Sequence, residues 1–186
     1  MLRDYQVNDL SQMCRIWNAV VAQGNAFPQL EQLDEQSGDV FFSSQSKTRV
    51  CIDEDTVVGL YILHPNNVGR CGHICNASFA VNQKQRGKHI GKALVLDCMK
   101  TARSLGFRIL QFNAVVESNA SARHLYESLG FHSLGTIPGG FLQSDGAYVN
   151  IVPYYISLTE YYADNLSQNS SDYSRSMYIR ISYGMI

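Results

Sequence analysis

The residues with the clearest chemistry form a basic segment near the middle of the chain, which reads Gln85-Arg86-Gly87-Lys88-His89-Ile90-Gly91-Lys92-Ala93-Leu94. An apolar stretch precedes this segment and an amphipathic helical pattern follows it. Backbone N–H groups at a helix start have no intrahelical acceptor, and the helix dipole adds partial positive charge. Glycines let a phosphate approach the backbone. The segment therefore predicts a diphosphate-binding loop, and the alternative is a basic helix start without a ligand.

Two other nucleotide-binding loops do not fit this segment. A Walker loop would end in Gly-Lys-Ser or Gly-Lys-Thr, which is absent here. The dinucleotide fingerprint would follow an early strand and would place an acidic residue about twenty positions later.

A second segment lies one predicted strand downstream and reads Asn119-Ala120-Ser121-Ala122-Arg123-His124-Leu125-Tyr126-Glu127-Ser128-Leu129-Gly130-Phe131. The first segment resembles the Arg/Gln-x-x-Gly-x-Gly/Ala acyl-CoA loop of the GNAT acetyltransferases, and the second resembles their Asn-x-x-Ala-x-x-Leu-Tyr-x-x-x-Gly-Phe segment. The order is that of the family, and the resemblance covers about residues 1–158. His89 departs from the pattern, since it stands at the usual first glycine. A histidine is tolerable at this position if it has ordinary helical dihedral angles, and we expect it not to abolish binding.

The resemblance implies an acyltransferase, an N-acetyltransferase with acetyl-CoA as the donor and no metal. It implies that the backbone of Phe79, Ala80 and Val81 pairs with the pantetheine arm and that Asn119 contacts this arm directly or through water. It makes Tyr126 the general acid near the thioester sulfur; the alternative is a core aromatic residue. The amides that would hold the pyrophosphate are those of Arg86, Gly87, Lys88, His89, Ile90, Gly91 and Lys92.

A narrower resemblance concerns the stretches 72–78 and 111–116, which look like a GNAT branch that includes fungal acetyltransferases of proline analogues such as azetidine-2-carboxylate. It implies that Asn76 and Asn113 bind the substrate carboxylate and help to position its amine. Polar side chains in mid-strand need partners, so hydrogen bonding between strands is the alternative. No general base stands out among Glu117, His73 and His132, and a water chain is a further option.

The spacing of apolar residues predicts the elements that position these segments. It indicates strands near 2–6, 48–52, 56–63, 72–82, 108–116, 131–136 and 147–157, and helices near 8–21, 89–105 and 119–129, with 25–46 irregular or weakly helical. The order is mixed, so the fold class is α/β or α+β. The GNAT resemblance implies a mostly antiparallel sheet of about seven strands with one splayed parallel pair and about four helices.

Composition narrows the class of partner. The chain of 186 residues is 45% apolar with a net charge of −1, which argues against a nucleic-acid partner. No signal peptide or membrane span is visible, so a cytoplasmic location is expected. Five scattered cysteines predict no disulfide framework, and the Cys71-His73-Cys75 spacing lacks the second ligand pair of a structural zinc site.

Domain organisation and substrate follow from these features. We expect one acetyltransferase domain at 1–158 and a tail at 159–186. The tail is rich in Ser, Asn and Asp from Asn165 to Ser176, which indicates a linker or a partly disordered segment. The predicted partner is a small-molecule amine, such as an amino acid or proline analogue. The alternatives are a peptide N-terminus, a polyamine, an antibiotic, or a non-catalytic acyl-CoA-binding module. A homodimer stays open.

Overall fold

The computed structural model describes residues 1–85 and 87–162, which fold around one eight-stranded sheet. The strands are β1 (Leu2–Asp4), β2 (Lys47–Asp53), β3 (Thr56–Pro65), β4 (Ile74–Val81), β5 (Ile109–Val116), β6 (His132–Ser133), β7 (Ile137–Leu142) and β8 (Tyr148–Ser157). Their order is β1-β2-β3-β4-β5-β8-β6, and β7 also pairs with β8. Only the β4–β5 pair is parallel. The helices are α1 (Leu10–Gln23), α2 (Glu35–Ser43), α3 (Ile90–Ser104) and α4 (Ala120–Ser128).

Helices cover both faces of the sheet, and β3 shows why. Successive side chains of a strand point to opposite faces. Leu60 and Ile62 pack in one apolar cluster with Trp17 of α1. Tyr61 and Leu63 pack in a second cluster that includes α3 and α4 residues. A strand buried on both faces is continuously apolar, as β3 is from position 57 to 63.

Helix ends follow local signals. Gly106 and Gly130 come shortly after α3 and α4 and have φ angles of 88° and 86°, the left-handed conformation that glycine adopts freely after a helix. Helix α2 is better formed than the weakly helical prediction for 25–46. Its N-terminus is closed by a reciprocal pair in which Asp34 Oδ1 accepts from Ser37 N at 2.7 Å and Asp34 N donates to Ser37 Oγ at 3.0 Å.

Two features lie at or beyond the predicted boundaries. Strand β7 falls between the last two predicted strands, where no separate strand was expected. Residues 158–162 are helical, and the Arg103 guanidinium stacks 4.6 Å from the ring centroid of Tyr162. The described start of the predicted tail therefore contacts α3, while the rest of that tail lies outside the described residues.

The feature that creates the site is the divergence of β4 and β5. They pair only at Ile74 with Ile109 and at Cys75 with Leu110. Beyond these pairs β4 stays bonded to β3 as far as Val81, and β5 stays bonded to β8. A wedge therefore opens between two strands that each have one free backbone edge.

Candidate active site

The wedge between β4 and β5 contains a cavity of ≈ 330 Å³. Its walls come from β4, β5, α3, α4 and the loop after α1, which contributes Ala26, Phe27 and Pro28. Among the described residues that line it, none is acidic, basic or a histidine. Its polar groups are thus neutral amides, hydroxyls and backbone.

The cavity brings together six residues that sequence reasoning had assigned to three different roles. They come from elements far apart in the chain, which only the sheet topology can juxtapose. The six are Asn76, Phe79, Gly91, Asn113, Asn119 and Tyr126.

Tyr126 on α4 is fixed by aromatic neighbours. Its ring centroid lies 4.5 Å from that of Phe112, 5.6 Å from that of Phe131 and 5.9 Å from that of Tyr154. Its hydroxyl makes no hydrogen bond to any residue within 1–85 or 87–162. Burial raises the pKa of this phenol, with a smaller contribution from Cys98. The side chain is therefore a protonated donor facing a neutral cavity, as a general acid requires.

Asn119 is the N-cap residue of α4, and only one end of its side-chain amide is used by the cap. Its Oδ1 accepts from the backbone N–H of Ala122 at 3.2 Å, a helix N-cap. Its Nδ2 has no partner in the described part of the chain. Because the cap uses only the oxygen, the amide protons stay available to the cavity.

Asn76 occupies the point where β4 leaves β5. Its Oδ1 accepts from the backbone N–H of Ala77 at 2.7 Å. That N–H no longer has a strand partner on the cavity side, so the side chain supplies the acceptor that β5 would have provided. No described residue accepts from Asn76 Nδ2, which leaves two amide protons free.

Asn113 on β5 is held by two other amides. Its Nδ2 donates to Asn66 Oδ1 at 2.6 Å, and its Oδ1 accepts from Asn66 Nδ2 at 3.3 Å and from Gln111 Nε2 at 2.9 Å. The hydrogen-bonding alternative weighed for the strand asparagines therefore holds in part here. Sequence reasoning missed Asn66, because a contact across 47 positions leaves no local signal.

The loop before α3 carries the predicted diphosphate contacts. Lys88, His89 and Lys92 are exposed, and Ile90 is half-buried. Gly87 has a φ of 83°, and Arg86 lies outside the described residues. No side chain caps α3, and the first helical bond runs from Ala93 N to His89 O. Within the described part of the chain, the backbone N–H groups from Gly87 to Lys92 therefore stay free, which suits an anion.

His89 does not meet the condition under which a histidine is tolerable at this position. Its φ of 58° and ψ of 15° are left-handed and not those of an ordinary helix. A Cβ is disfavoured in this region, whereas glycine enters it freely. The residue thus holds a glycine-like conformation at the position where the resembled family has glycine, and the helix starts only at Ile90.

The remaining predicted contacts involve the end of β4. The Ala80 side chain is buried in the α1 cluster, and Val81 is half-buried. The Phe79 ring meets Phe112 edge-on at 5.7 Å. Since Tyr61, Leu60 and Gly59 pair with these three residues on one side only, the opposite backbone edge is open to an added extended chain.

The base candidates lie away from the cavity lining. Glu117 Oε2 accepts from Asn150 Nδ2 at 2.8 Å, and His73 and His132 are exposed. Within 1–85 and 87–162 no cluster of His, Cys, Asp and Glu could hold a metal ion. All five cysteines are free thiols. No helix among the described residues has the length and apolar character needed to span a membrane.

Comparisons with known proteins agree with this geometry. The model of the Acetyltransferase (GNAT) family matches residues 12–131. The N-acetyltransferase aca1 of Schizosaccharomyces pombe is 28% identical in an alignment 163 positions long that covers 78% of this chain and 78% of its own. A GCN5-related N-acetyltransferase from Kribbella flavida has a TM-score of 0.78 at 32% identity and covers 84% of this chain and 96% of its own. The fold is shared with yncA from Salmonella typhimurium, solved with its cofactor acetyl-CoA, at a TM-score of 0.80, 18% identity and coverage of 85% and 93%.

Proposed function

Since this chain belongs to the GNAT family of acetyltransferases, we propose that it moves the acetyl group of acetyl-CoA to the amine of a small amino acid or proline analogue with a free carboxylate. One observation carries the proposal. Asn76, with its unpaired amide donors, lines the same cavity as Asn113 and the Tyr126 phenol. These are groups that bind an anion and protonate a leaving group.

The cofactor side of the cavity fits acetyl-CoA. The open edge of β4 at Phe79, Ala80 and Val81 would pair with the amide-containing pantetheine arm, and Asn119 Nδ2 would donate to it. The free N–H groups from Gly87 to Lys92, together with Lys88 and Lys92, would hold the pyrophosphate. Arg86 is assigned the same role from sequence. The bound group supplies an activated acetyl thioester.

The chain's own residues supply positioning and a proton. Burial raises the pKa of Tyr126, so its hydroxyl stays protonated in basic solution as well as at neutral pH, and it would donate to the departing sulfur. The lining contains no titratable base among its described residues. The acceptor amine must therefore enter neutral or lose its proton to water.

The lining also ranks the acceptor classes. Polyamine cations would call for acidic side chains, and the described lining has none. A carboxylate is suited by amide N–H donors, each worth about 1.5–3 kcal/mol to a charged acceptor. The similarity to the N-acetyltransferase aca1 of a fungus is compatible with the narrower branch of proline-analogue acetyltransferases.

The test compares an amino acid with its amide and its methyl ester. We expect kcat/KM for L-azetidine-2-carboxylate to exceed that for its carboxamide by about ten- to a hundredfold. Asn76→Ala should remove most of this difference, and Ser78→Ala, another lining position, is the matched control. Equal turnover of acid, amide and ester would refute the carboxylate assignment and favour a peptide or polyamine acceptor.

A further inference from the structure

Three side-chain amides form a hydrogen-bonded bridge that includes one residue of the cavity lining. The Asn66 backbone N–H donates to Ile74 O at 2.8 Å, which anchors Asn66 beside the start of β4. The Asn66 side chain then bonds Asn113 on β5, beyond the last β4–β5 pair. Gln111 reaches the same Asn113 from two positions earlier on β5. Neither Asn66 nor Gln111 lines the cavity, whereas Asn113 does.

The orientation of these amides, that is, which end of each donates and which accepts, decides whether Asn113 presents an N–H or a lone pair to a substrate. We call this the polarity of Asn113. An Asn side chain has two lone pairs on Oδ1 and two protons on Nδ2. Here Oδ1 is filled by donors from Asn66 and Gln111, and one Nδ2 proton goes to Asn66. What is left for the cavity is one N–H. If all three amide groups were rotated by about 180°, the same pairs of residues would still be hydrogen-bonded, but Asn113 would have a free lone pair instead of a free N–H.

We infer that Gln111 and Asn66 are positioning residues that set the polarity of Asn113, so that it presents an N–H to the substrate carboxylate. The inference rests on the proposed function. Gln111 is decisive because it contacts only the Oδ1 of Asn113. Asn66 contacts both ends of that amide, and it accepts the shortest bond of the bridge.

Two variants that each add one negative charge separate the effect of the Asn113 orientation from the effect of charge alone. Gln111→Glu can only accept at pH 8, so Asn113 must turn its Nδ2 toward position 111 and its Oδ1 toward the cavity. Asn66→Asp also only accepts, so it loses the 3.3 Å donation from Asn66 Nδ2 to Asn113 Oδ1. Asn113 Nδ2 still donates to position 66 and Gln111 still donates to Asn113 Oδ1, and these two bonds keep the present orientation. Each variant adds one negative charge on a side chain that is in direct contact with Asn113. Neither side chain lines the cavity.

The assay measures kcat/KM for L-azetidine-2-carboxylate and for its carboxamide in each variant, at pH 8. Gln111→Glu should lower the acid-to-amide ratio by about ten- to a hundredfold, because a lone pair disfavours a carboxylate and accepts from a carboxamide. Asn66→Asp should change the ratio by less than about threefold. Gln111→Lys, which can only donate, should keep the acid preference.

The outcomes are distinguishable. If the wild type shows no acid preference, the proposed function fails and the inference fails with it. If the wild type prefers the acid but Gln111→Glu and Asn66→Asp shift the ratio equally, charge alone explains the effect and the polarity inference is overturned. Should Gln111→Glu fail to fold, loss of the acid preference in Gln111→Lys would still overturn it.

Discussion

Replacing Tyr126 by Phe isolates the proton-donating role, because the structure predicts almost no other effect. The ring is held by Phe112 and Phe131, and Phe keeps those contacts. Within the described residues the hydroxyl has no hydrogen-bond partner to leave orphaned. We therefore expect the free energy of unfolding to change by less than about 0.5 kcal/mol.

The catalytic effect should be large by comparison. General acid catalysis contributes about 10²–10⁴-fold, which is about 2.7–5.5 kcal/mol in the activation free energy. Steady-state release of free CoA, followed with a thiol reagent, gives kcat. Isothermal titration with acetyl-CoA gives its Kd, which should stay within about twofold because the hydroxyl acts on the leaving sulfur.

Tyr154→Phe is the matched control. Its hydroxyl donates to Glu127 at 2.6 Å and accepts from Arg123 at 3.1 Å, and its ring lies beside that of Tyr126. Both charged partners are partly exposed, so the loss should be about 1 kcal/mol, or roughly 2–4 °C in Tm. The control should thus lose stability and keep kcat. A Tyr126→Phe enzyme with kcat within threefold of the wild type would refute the acid role.

Three further outcomes test other parts of the site. His89→Gly should raise the free energy of unfolding by about 1 kcal/mol by relieving left-handed strain. Glu54, with φ of 52°, is the second non-glycine residue with positive φ in the described part of the chain, and Glu54→Gly should give the same gain in thermal melts without altering the Kd of acetyl-CoA. A lower Tm for His89→Gly would contradict the strain argument. Gly91→Asp should abolish the stabilisation by acetyl-CoA, which is about 2.7 kcal/mol at a hundredfold excess over Kd. Gly91→Ala, whose Cβ would lie 3.6 Å from Leu125 Cδ2, should keep this stabilisation. Equal loss in both variants would show that crowding, and not charge, prevents binding. Because burial raises the Tyr126 pKa, the Tyr126 hydroxyl stays protonated up to at least about pH 10. The value of kcat/KM should therefore rise with pH as the substrate amine deprotonates. A decrease in kcat/KM above about pH 8 would show that another group is the general acid.

The sequence was sufficient for the elements with strong periodicity. Helices α3 and α4 and the β2–β3 hairpin appear close to their predicted bounds, and the predicted fold class is confirmed by the structural neighbours. Strand β7 was not predicted, because Pro138, Gly139 and Gly140 argue against a strand. It forms by pairing with β8, a tertiary effect. Helix α2 was undervalued because its signal is the Asp34–Ser37 cap more than its apolar pattern.

The site was predictable where the motif was local and not where it depended on distant contacts. Six of the residues assigned to catalysis, cofactor and substrate line one cavity, although their roles stay predictions. Phe27 and Pro28 lie in the stretch 25–46 that is predicted to be irregular or weakly helical, yet they line the cavity, since the loop after α1 reaches the wedge only in three dimensions. The backbone angle of His89 and the Asn66–Asn113 bond were equally invisible, because neither is encoded by neighbouring residue types.

Strand β8 has a consequence for how the protein is made. It bonds to β5, β6 and β7, but it is the last strand described. A chain leaving the ribosome holds β5 with an unpaired edge until residues 148–157 emerge, and pairing Ile109 with Ser157 then closes a long loop. Completion of the sheet therefore follows synthesis of β8. Nascent chains stopped before that point would expose a strand edge that readily joins other chains.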